Sequence, residues 1–387
     1  MGKIKKAILI LFFFLGISQP LYSLTRILIF GKLFDYSVYL RIAEATLKNK
    51  DAYLLGDVNY PPPAFFIFIP FYFLPLFWGQ LTWSILSFFC LFFALFFSLK
   101  SLNINYQWKY FVFILPLTLL AFPTKWTLGL GQINNLILLL LVLGFFFYQK
   151  EKFFLSGVVL GIATSLKILP VACLFYFLIK GKFKIFLSGL GTIAFCFILS
   201  GFVFGFNLIL EYFAQIVPAS FEIERKYTYY NQAVSGFFSR LVGNSLLVAE
   251  LTFVFSFVIL FAAAITLLLK ESKASPLGYS LTISTFLLIS PFSWQHHFVW
   301  LVFPFLTLFK EFFPFKKHLP KIFLLGLYFL VAFNFKKPEL LGQSFFAKIL
   351  LSHVFLGNIL IWLLLTRQIV KQKNRFTPSK CNKFTPH

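Results

Sequence analysis

Apolar runs near or above about 20 residues, the length that spans a bilayer, recur along the whole chain. Short polar or basic clusters separate these runs. The pattern predicts an all-α polytopic membrane protein, because a helix in lipid satisfies its own backbone hydrogen bonds. We predict about 12 transmembrane helices (range 10 to 13), over residues 7–30, 80–99, 110–124, 133–149, 153–166, 168–180, 185–205, 247–270, 277–292, 296–310, 321–334 and 349–366.

Two further segments are predicted to be helical without crossing the membrane. Residues 35–48 have helical spacing with an apolar side, so we expect them to lie along the membrane surface. Residues 61–79 are apolar but contain five prolines, each of which removes a helix donor. We therefore predict a bent interfacial helix there, on the outer side. The membrane domain is predicted to cover residues 1–366, followed by a basic, disordered cytoplasmic tail over 367–387.

Composition and charge agree with a membrane protein. The chain has 387 residues, of which 59% are hydrophobic and 12% charged, and a soluble protein of this length would carry far more charge. The net charge of +23 comes from basic clusters between apolar runs, so we attribute it to membrane orientation and anionic lipids and predict no nucleic-acid partner.

The distribution of lysine and arginine predicts the orientation. With both termini cytoplasmic, 22 basic residues lie inside, 12 outside and one within the first helix, which accounts for all 35. This bias predicts a multi-pass protein of the cell membrane. The polar loops 31–63, 125–132, 206–246 and 335–348 then face outward.

The loop 31–63 contains every aspartate of the chain: Asp35, Asp51 and Asp57. Carboxylates are costly near a bilayer and mark functional sites there. Asp35 follows the first helix directly, so we predict it to be a general base acting on a sugar hydroxyl. The alternative is a structural ion pair with Lys32 or Arg41.

Other polar groups interrupt the apolar pattern in a way that predicts a site. Lys167 stands alone between apolar runs, and a lipid phosphate would satisfy its charge, although snorkelling to the surface is the alternative. Arg240 is able to bind phosphate bidentately. The remaining candidates are amide, aromatic and imidazole side chains near the predicted outer helix ends, namely Gln132, Asn134, Asn231, Gln232, Trp294, His296 and His297.

These residues together resemble the polytopic enzymes of glycosyltransferase family 87, in the GT-C superfamily. The resemblance runs in order from about residue 35 to 300. It comprises the aspartate after the first helix, Y-P-P at Tyr60, G-Q-x-N at Gly131, G-x-x-x-G-x-A-x-x-x-K-x-x-P from Gly157 to Pro170, N-Q-x-x-x-G-x-x-x-R from Asn231 to Arg240, and S-P-x-S-W-x-H-H from Ser290 to His297.

The resemblance implies a GT-C-type fold and an inverting transferase. The implied reaction moves mannose, or a related hexose, from a polyprenyl-phosphate carrier to a lipid or glycan on the outer face. It implies Asp35 as the base, a donor phosphate near Lys167, Arg240 and His297, and sugar or acceptor contacts at Tyr60, Gln132, Asn134, Asn231, Gln232, Trp294 and His296. No cofactor or metal ligand set is indicated, although three aspartates leave divalent-ion binding open.

Two other functions are compatible with a chain of this kind. A transporter or flippase for a lipid-linked or polar solute would explain the buried polar residues, but the chain shows no internal repeat of the kind that many transporters have. A non-catalytic partner in envelope assembly would tolerate the loss of Asp35.

Overall fold

Helices form the regular structure of this chain. A computed structural model describes residues 3–104, 108–219, 221, 228–243, 246–291, 293–312 and 318–376, and these contain helices but no strand. The α-helices are α1 Lys3–Phe30, α2 Phe34–Leu47, α3 Phe65–Tyr72, α4 Leu76–Ser101, α5 Trp108–Leu120, α6 Phe122–Leu130, α7 Asn134–Gln149, α8 Phe153–Leu166, α9 Val171–Ile179, α10 Phe183–Phe204, α11 Phe206–Glu211, α12 Val217–Ala219, α13 Val234–Val242, α14 Leu246–Ile265, α15 Pro276–Ile289, α16 Val302–Phe312, α17 His318–Ala332, α18 Phe345–Leu350 and α19 His353–Phe376.

Shorter helical turns complete the structure. In the described residues, 3-10 helices lie at Tyr53–Leu55, Pro62–Ala64, Gln295–Leu301 and Pro338–Leu341. π-Helical turns lie at Tyr212–Ile216 and Thr266–Lys270. The predicted all-α class is thus confirmed, and each of the predicted segments coincides with a helical stretch.

The number of membrane crossings stays a prediction. Among the described residues, four helical stretches are long and apolar enough to span a bilayer, namely Leu76–Ser101, Phe183–Phe204, Leu246–Lys270 and His353–Lys373. The pair α5 and α6 gives a fifth if its 67° bend lies within one span. Several others, including α7, α8 and α15, are apolar but have only 10–17 residues.

Both segments that were predicted not to cross the membrane are helical. The segment 35–48 is α2, which buries Val38, Ile42 and Ala45 while Leu47 is 43% exposed. The proline-rich segment forms the 3-10 turn Pro62–Ala64 and then α3, which ends before α4 begins. α2 packs against α3, so the loop after the first helix is a folded unit.

Several predicted boundaries are wrong. The segment 125–132, predicted as a loop, belongs to α6 as far as Leu130. α19 continues to Phe376, so residues 367–376 are not the disordered tail that was predicted. Leu365 and Ile369 are buried one turn apart, and this apolar side extends the helix past the end of the apolar run. Residues 377–387 lie outside the described part of the chain.

Small residues let α8 and α10 approach closely. A Cβ at Gly157 would collide with Ser188 and the Ile185 carbonyl, and one at Gly161 would lie 2.7 Å from the Gly189 carbonyl oxygen. Such close packing of small residues is typical of membrane helices. The glycines of the G-x-x-x-G segment therefore fix α8, at whose end Lys167 lies.

Candidate active site

Asp35 lies in the first turn of α2, where the helix N-terminus favours a negative charge. The break between α1 and α2 is held by Gln80 of α4. Its Oε1 accepts the Leu33 N–H at 2.6 Å, and its Nε2 donates to the Gly31 carbonyl at 3.2 Å. Gln80 is itself buried, so the position of Asp35 is fixed by packing as well as by sequence.

Side chains that are linked by hydrogen bonds lead from beside Asp35 into the helix bundle. Gln132 favours the charged form of the Asp35 carboxyl. Tyr60 donates its hydroxyl to Gln132 Oε1 at 3.0 Å, and the Tyr60 and Tyr39 hydroxyls share a hydrogen bond of 2.8 Å. Each of these groups thereby orients the next.

Gln132 is positioned by the turn between α6 and α7. Gly131 adopts φ +75°, in the left-handed region that favours glycine, and a Cβ there would lie 3.0 Å from Tyr36 Cβ. Trp83 Nε1 donates to the Gly131 carbonyl at 2.7 Å. The G-Q-x-N segment is thus a tightly held corner at the site.

Lys167 reaches the same site from the loop after α8. Its Nζ donates to Asn134 Oδ1 at 2.8 Å and lies 2.8 Å from His297 Nε2. It also lies 5.8 Å from the centroid of the Tyr60 ring. Lys167 therefore turns into the bundle, and the snorkelling alternative is wrong for this lysine.

The hydrogen bonds of His297 define its ring proton. Its Nδ1 accepts the Trp294 backbone N–H at 3.0 Å, so a neutral ring carries its proton on Nε2. That Nε2–H faces the amine of Lys167. Two donors facing each other are both satisfied when an anionic oxygen accepts from each of them.

Burial determines the charges of the two central groups. It raises the pKa of Asp35 to about 6, against the opposing effects of the Gln132 hydrogen bond and the Lys167 charge. Burial lowers the pKa of Lys167 to about 7, while Asp35 acts in the opposite direction. Both groups titrate close to neutral pH, as is typical of active-site residues.

Aromatic rings form one wall of the site. The Trp126 ring lies 4.4 Å from Tyr230, 5.1 Å from His296 and, stacked, 6.3 Å from Trp294, measured between centroids. The Thr127 hydroxyl donates to the His296 carbonyl at 3.2 Å, which joins α6 to the S-W-x-H-H segment.

Buried polar atoms at the site lack a protein partner. They include Asp35 Oδ2, Asn134 Nδ2 and His296 Nδ1. The side-chain amide atoms of Gln295, the residue before His296, belong to the same group. Buried polar groups are nearly always hydrogen-bonded, so such a concentration indicates a surface that receives a polar substrate.

Three of the predicted contact residues, Asn231, Gln232 and Arg240, form hydrogen bonds within the protein. Arg240 donates from Nη1 to the Asn231 and Thr228 carbonyls at 2.6 and 3.1 Å, and from Nε to Ser352 Oγ at 2.9 Å. Gln232 donates to the Leu351 carbonyl at 2.9 Å. These bonds tie the loop before α13 to the turn before α19.

The same loop also holds the S-W-x-H-H segment. Asn231 Oδ1 accepts the Ser293 N–H at 3.2 Å, and Asn231 forms an isolated β-bridge with Trp294. Asn231 therefore positions Trp294 and His297, whereas substrate contacts of Asn231, Gln232 and Arg240 stay predictions.

The other two aspartates have partners of their own. Asp57 forms an ion pair with Arg41, which leaves Asp35 without the Arg41 partner considered above. Asp51 Oδ1 accepts the Tyr53 N–H at 2.8 Å. In the described part of the chain, no three His, Cys, Asp or Glu side chains are grouped as a metal site.

Sequence reasoning missed residues that shape the site. Tyr39 orients Tyr60, Trp83 fixes Gly131, and Trp300 Nε1 donates to the Asn134 carbonyl at 3.2 Å. Tyr39 follows Asp35 by four residues on α2, so helical spacing alone places the two side chains on the same face of the helix.

Known mannosyltransferases are similar to this chain in sequence. A polyprenol-phosphate-mannose-dependent alpha-(1-2)-phosphatidylinositol mannoside mannosyltransferase of Mycobacterium tuberculosis is 26% identical over 198 residues, which are 50% of this chain and 45% of the relative. A polyprenol-phosphate-mannose-dependent alpha-(1-2)-phosphatidylinositol pentamannoside mannosyltransferase of Mycolicibacterium smegmatis is 26% identical over 188 residues, which are 46% of this chain and 43% of the relative. The chain thus spans about half the length of these relatives, and no solved structure matches it.

The family profile covers a larger part of the chain. Its match extends over residues 59–291, which include Tyr60, Gln132, Lys167 and Arg240. This is more than half of the sequence, and it contains most of the residues that surround Asp35. The chain therefore belongs to glycosyltransferase family 87.

Proposed function

We propose that this protein transfers a hexose, mannose first among the candidates, from a polyprenyl-phosphate carrier to a lipid or glycan acceptor at the outer membrane face. Family membership and the similarity to mannosyltransferases support the class of reaction. The observation that carries the proposal is the buried cluster in which Asp35 and Lys167 meet through Gln132, Tyr60 and Asn134.

Asp35 is the base in this proposal. Its Oδ2 is buried and has no protein partner, so it is available to accept the proton of an acceptor hydroxyl. The acceptor oxygen attacks the anomeric carbon as the bond from that carbon to the phosphate oxygen breaks. One such displacement inverts the anomeric centre, and the carrier leaves as polyprenyl phosphate.

Lys167 and His297 stabilise the leaving phosphate. Both present donors toward the same point, and a buried site strengthens such contacts because water does not screen them. A phosphate oxygen beside this pair, accepting a hydrogen bond from both Lys167 Nζ and His297 Nε2, would satisfy both donors. Asn134 then orients the ammonium through its Oδ1.

The acceptor is proposed to be a phosphoglycolipid. The relatives are named as mannosyltransferases that act on phosphatidylinositol mannosides. In this chain the Trp126, Tyr230 and Trp294 rings offer the flat apolar faces on which sugar rings pack. The wall lies beside His296, whose Nδ1 is buried and without a partner in the protein.

Asp35→Asn tests the proposal directly. The amide keeps the size of the side chain but does not take a proton, so we expect sugar transfer to fall at least ~10²-fold. Glycolipid formation from a radiolabelled polyprenyl-phosphate sugar in proteoliposomes measures this, and Asp57→Asn is the matched control because Asp57 pairs with Arg41.

The same vesicles distinguish a transporter. Entry of labelled solute without any new glycolipid would assign the protein to transport instead. Near-normal transfer by Asp35→Asn together with an inactive Asp57→Asn would overturn the assignment of the base, while the enzyme class would stand.

A further inference from the structure

A cavity of about 720 Å³ opens at the end of the bundle opposite Asp35. It lies where α4 and α7 end and where α8 and α10 begin. α7 runs from Asn134 at the active site to Gln149 at this cavity, so its 16 residues separate the two by about 24 Å.

Three lysines line the cavity and lie over aromatic rings. Lys100 Nζ is 5.4 Å and Lys150 Nζ 6.0 Å from the Phe146 centroid. Lys182 Nζ lies 5.3 Å from the Phe153 centroid and 5.8 Å from that of Tyr148. Cation–π contacts of this kind hold the ammonium groups in place without neutralising them.

The charges of the lining do not balance. Glu151 is the one carboxylate among the lining residues, against three ammonium groups. In the part of the chain that the structure describes, none of the three lysines forms an ion pair. The nearby Glu271 is already bound to Lys180 at 3.0 Å, with further bonds to Tyr176 and Ser275.

The cavity is preformed. Gln149 Nε2 donates to the Ser101 carbonyl at 2.8 Å and so ties the end of α7 to the end of α4. Tyr148 donates to the Ala274 carbonyl at 3.4 Å. An anion would therefore enter a site whose cationic groups are already assembled, which lowers the ordering cost of binding.

We propose that this cavity binds a phosphate group, carried by an anionic phospholipid headgroup or supplied as free phosphate. Lysine binds phosphate as a compact point charge, and basic pockets between membrane helices bind anionic headgroups. The Gln149 and Asn103 amides beside the lysines are suitable donors for the remaining phosphate or headgroup oxygens.

Native mass spectrometry of the full chain tests this proposal. The protein is released from nanodiscs of phosphatidylcholine with a minority of phosphatidylglycerol, and the retained lipids are counted. We compare it with the variant Lys100→Gln/Lys150→Gln/Lys182→Gln. The control is Lys32→Gln/Lys336→Gln/Lys337→Gln, which removes the same charge from exposed lysines outside the cavity. Titration with inorganic phosphate forms the second arm.

We expect the wild type and the control to retain phosphatidylglycerol. The cavity variant should retain at least about tenfold less of this lipid. Resistance to millimolar phosphate assigns the lipid as the source, whereas displacement by it assigns free phosphate. Equal loss in both triple variants, or neither lipid preference nor phosphate binding in the wild type, would overturn the proposal. If the cavity variant unfolds, Lys182→Gln alone replaces it in the comparison.

Discussion

At the residue scale, Asp35 and Lys167 have opposing requirements for protons. Asp35 has to be ionised to act as a base, and its pKa is about 6. Lys167 has to be protonated to hold a phosphate, and its pKa is about 7. Transfer should therefore rise as the pH increases through about 6 and fall above about 7, giving a narrow bell-shaped profile.

Lys167→Ala tests the descending limb of that profile. The substitution removes the ammonium, so we expect the descending limb to disappear and use of the donor to weaken by ~2–4 kcal/mol. The ascending limb should move to higher pH, because the lysine charge lowers the pKa of Asp35. Initial rates at varied donor concentration and pH measure both effects. An unchanged pH profile in the purified variant would show that Lys167 does not bind the donor phosphate.

Tyr39 acts through other residues. Its ring is stacked on Phe68 at 4.0 Å between centroids, and its hydroxyl bonds Tyr60 and accepts the Ile133 N–H at 3.3 Å. Tyr39→Phe keeps the stack but loosens Tyr60 and Gln132. We expect turnover to fall about threefold to tenfold with an unchanged KM for the donor, in line with the loss of ~0.7–1.4 kcal/mol of hydrogen bonding.

Tyr328→Phe is the matched control for Tyr39→Phe. It also removes one tyrosine hydroxyl bond, of 2.8 Å to the Leu117 carbonyl, at a position outside the site. Equal turnover losses in the two variants would show that Tyr39 contributes to general stability alone.

At the scale of elements, Arg240 holds loops together. It links the loop before α13 to Ser352. Arg240→Lys loses the planar fork and leaves buried carbonyl groups unpaired, which costs ~1–3 kcal/mol for each group. We expect a lower thermal midpoint with little change in KM for the donor. A raised KM at an unchanged midpoint would instead support the predicted phosphate contact.

The elements also show which features the sequence could predict. Apolar runs located the helices because a segment surrounded by lipid has to be apolar. Lys167 stood out because an isolated charge in an apolar run needs a partner. The partners were harder to find. That Arg240 binds carbonyl groups depends on how two loops distant in sequence meet, and no local pattern records that contact.

Boundaries failed where a helix continued beyond its apolar run. The residues after 366 are polar, yet α19 extends to Phe376 because Leu365 and Ile369 keep one side buried. Similarly, the polar stretch 125–132 is largely helical in α6. Hydropathy predicts contact with lipid, whereas helix ends depend on packing against neighbouring helices.

At the scale of the whole molecule, the predicted orientation requires the active site and the lysine cavity to face opposite sides of the membrane. In a background without the native cysteines, a cysteine at position 50 should react with an impermeant reagent from outside. A cysteine at position 151, beside the lysine cavity, should react only after the membrane is opened. Labelling of position 50 from the cytoplasm alone would contradict the orientation.

The shortness of α7 and α8 bears on where in the bilayer the reaction takes place. Helices of 16 and 14 residues are about 24 and 21 Å long, less than the ~30 Å hydrocarbon core. If their basic ends are anchored at the cytoplasmic interface, Asn134 and Lys167 lie several ångströms beneath the outer headgroups. The carrier phosphate has to sink to that depth, or the membrane has to thin around the protein. The rate of transfer would then depend on the acyl-chain length of the membrane lipids, because a thicker bilayer lifts the acceptor away from the base.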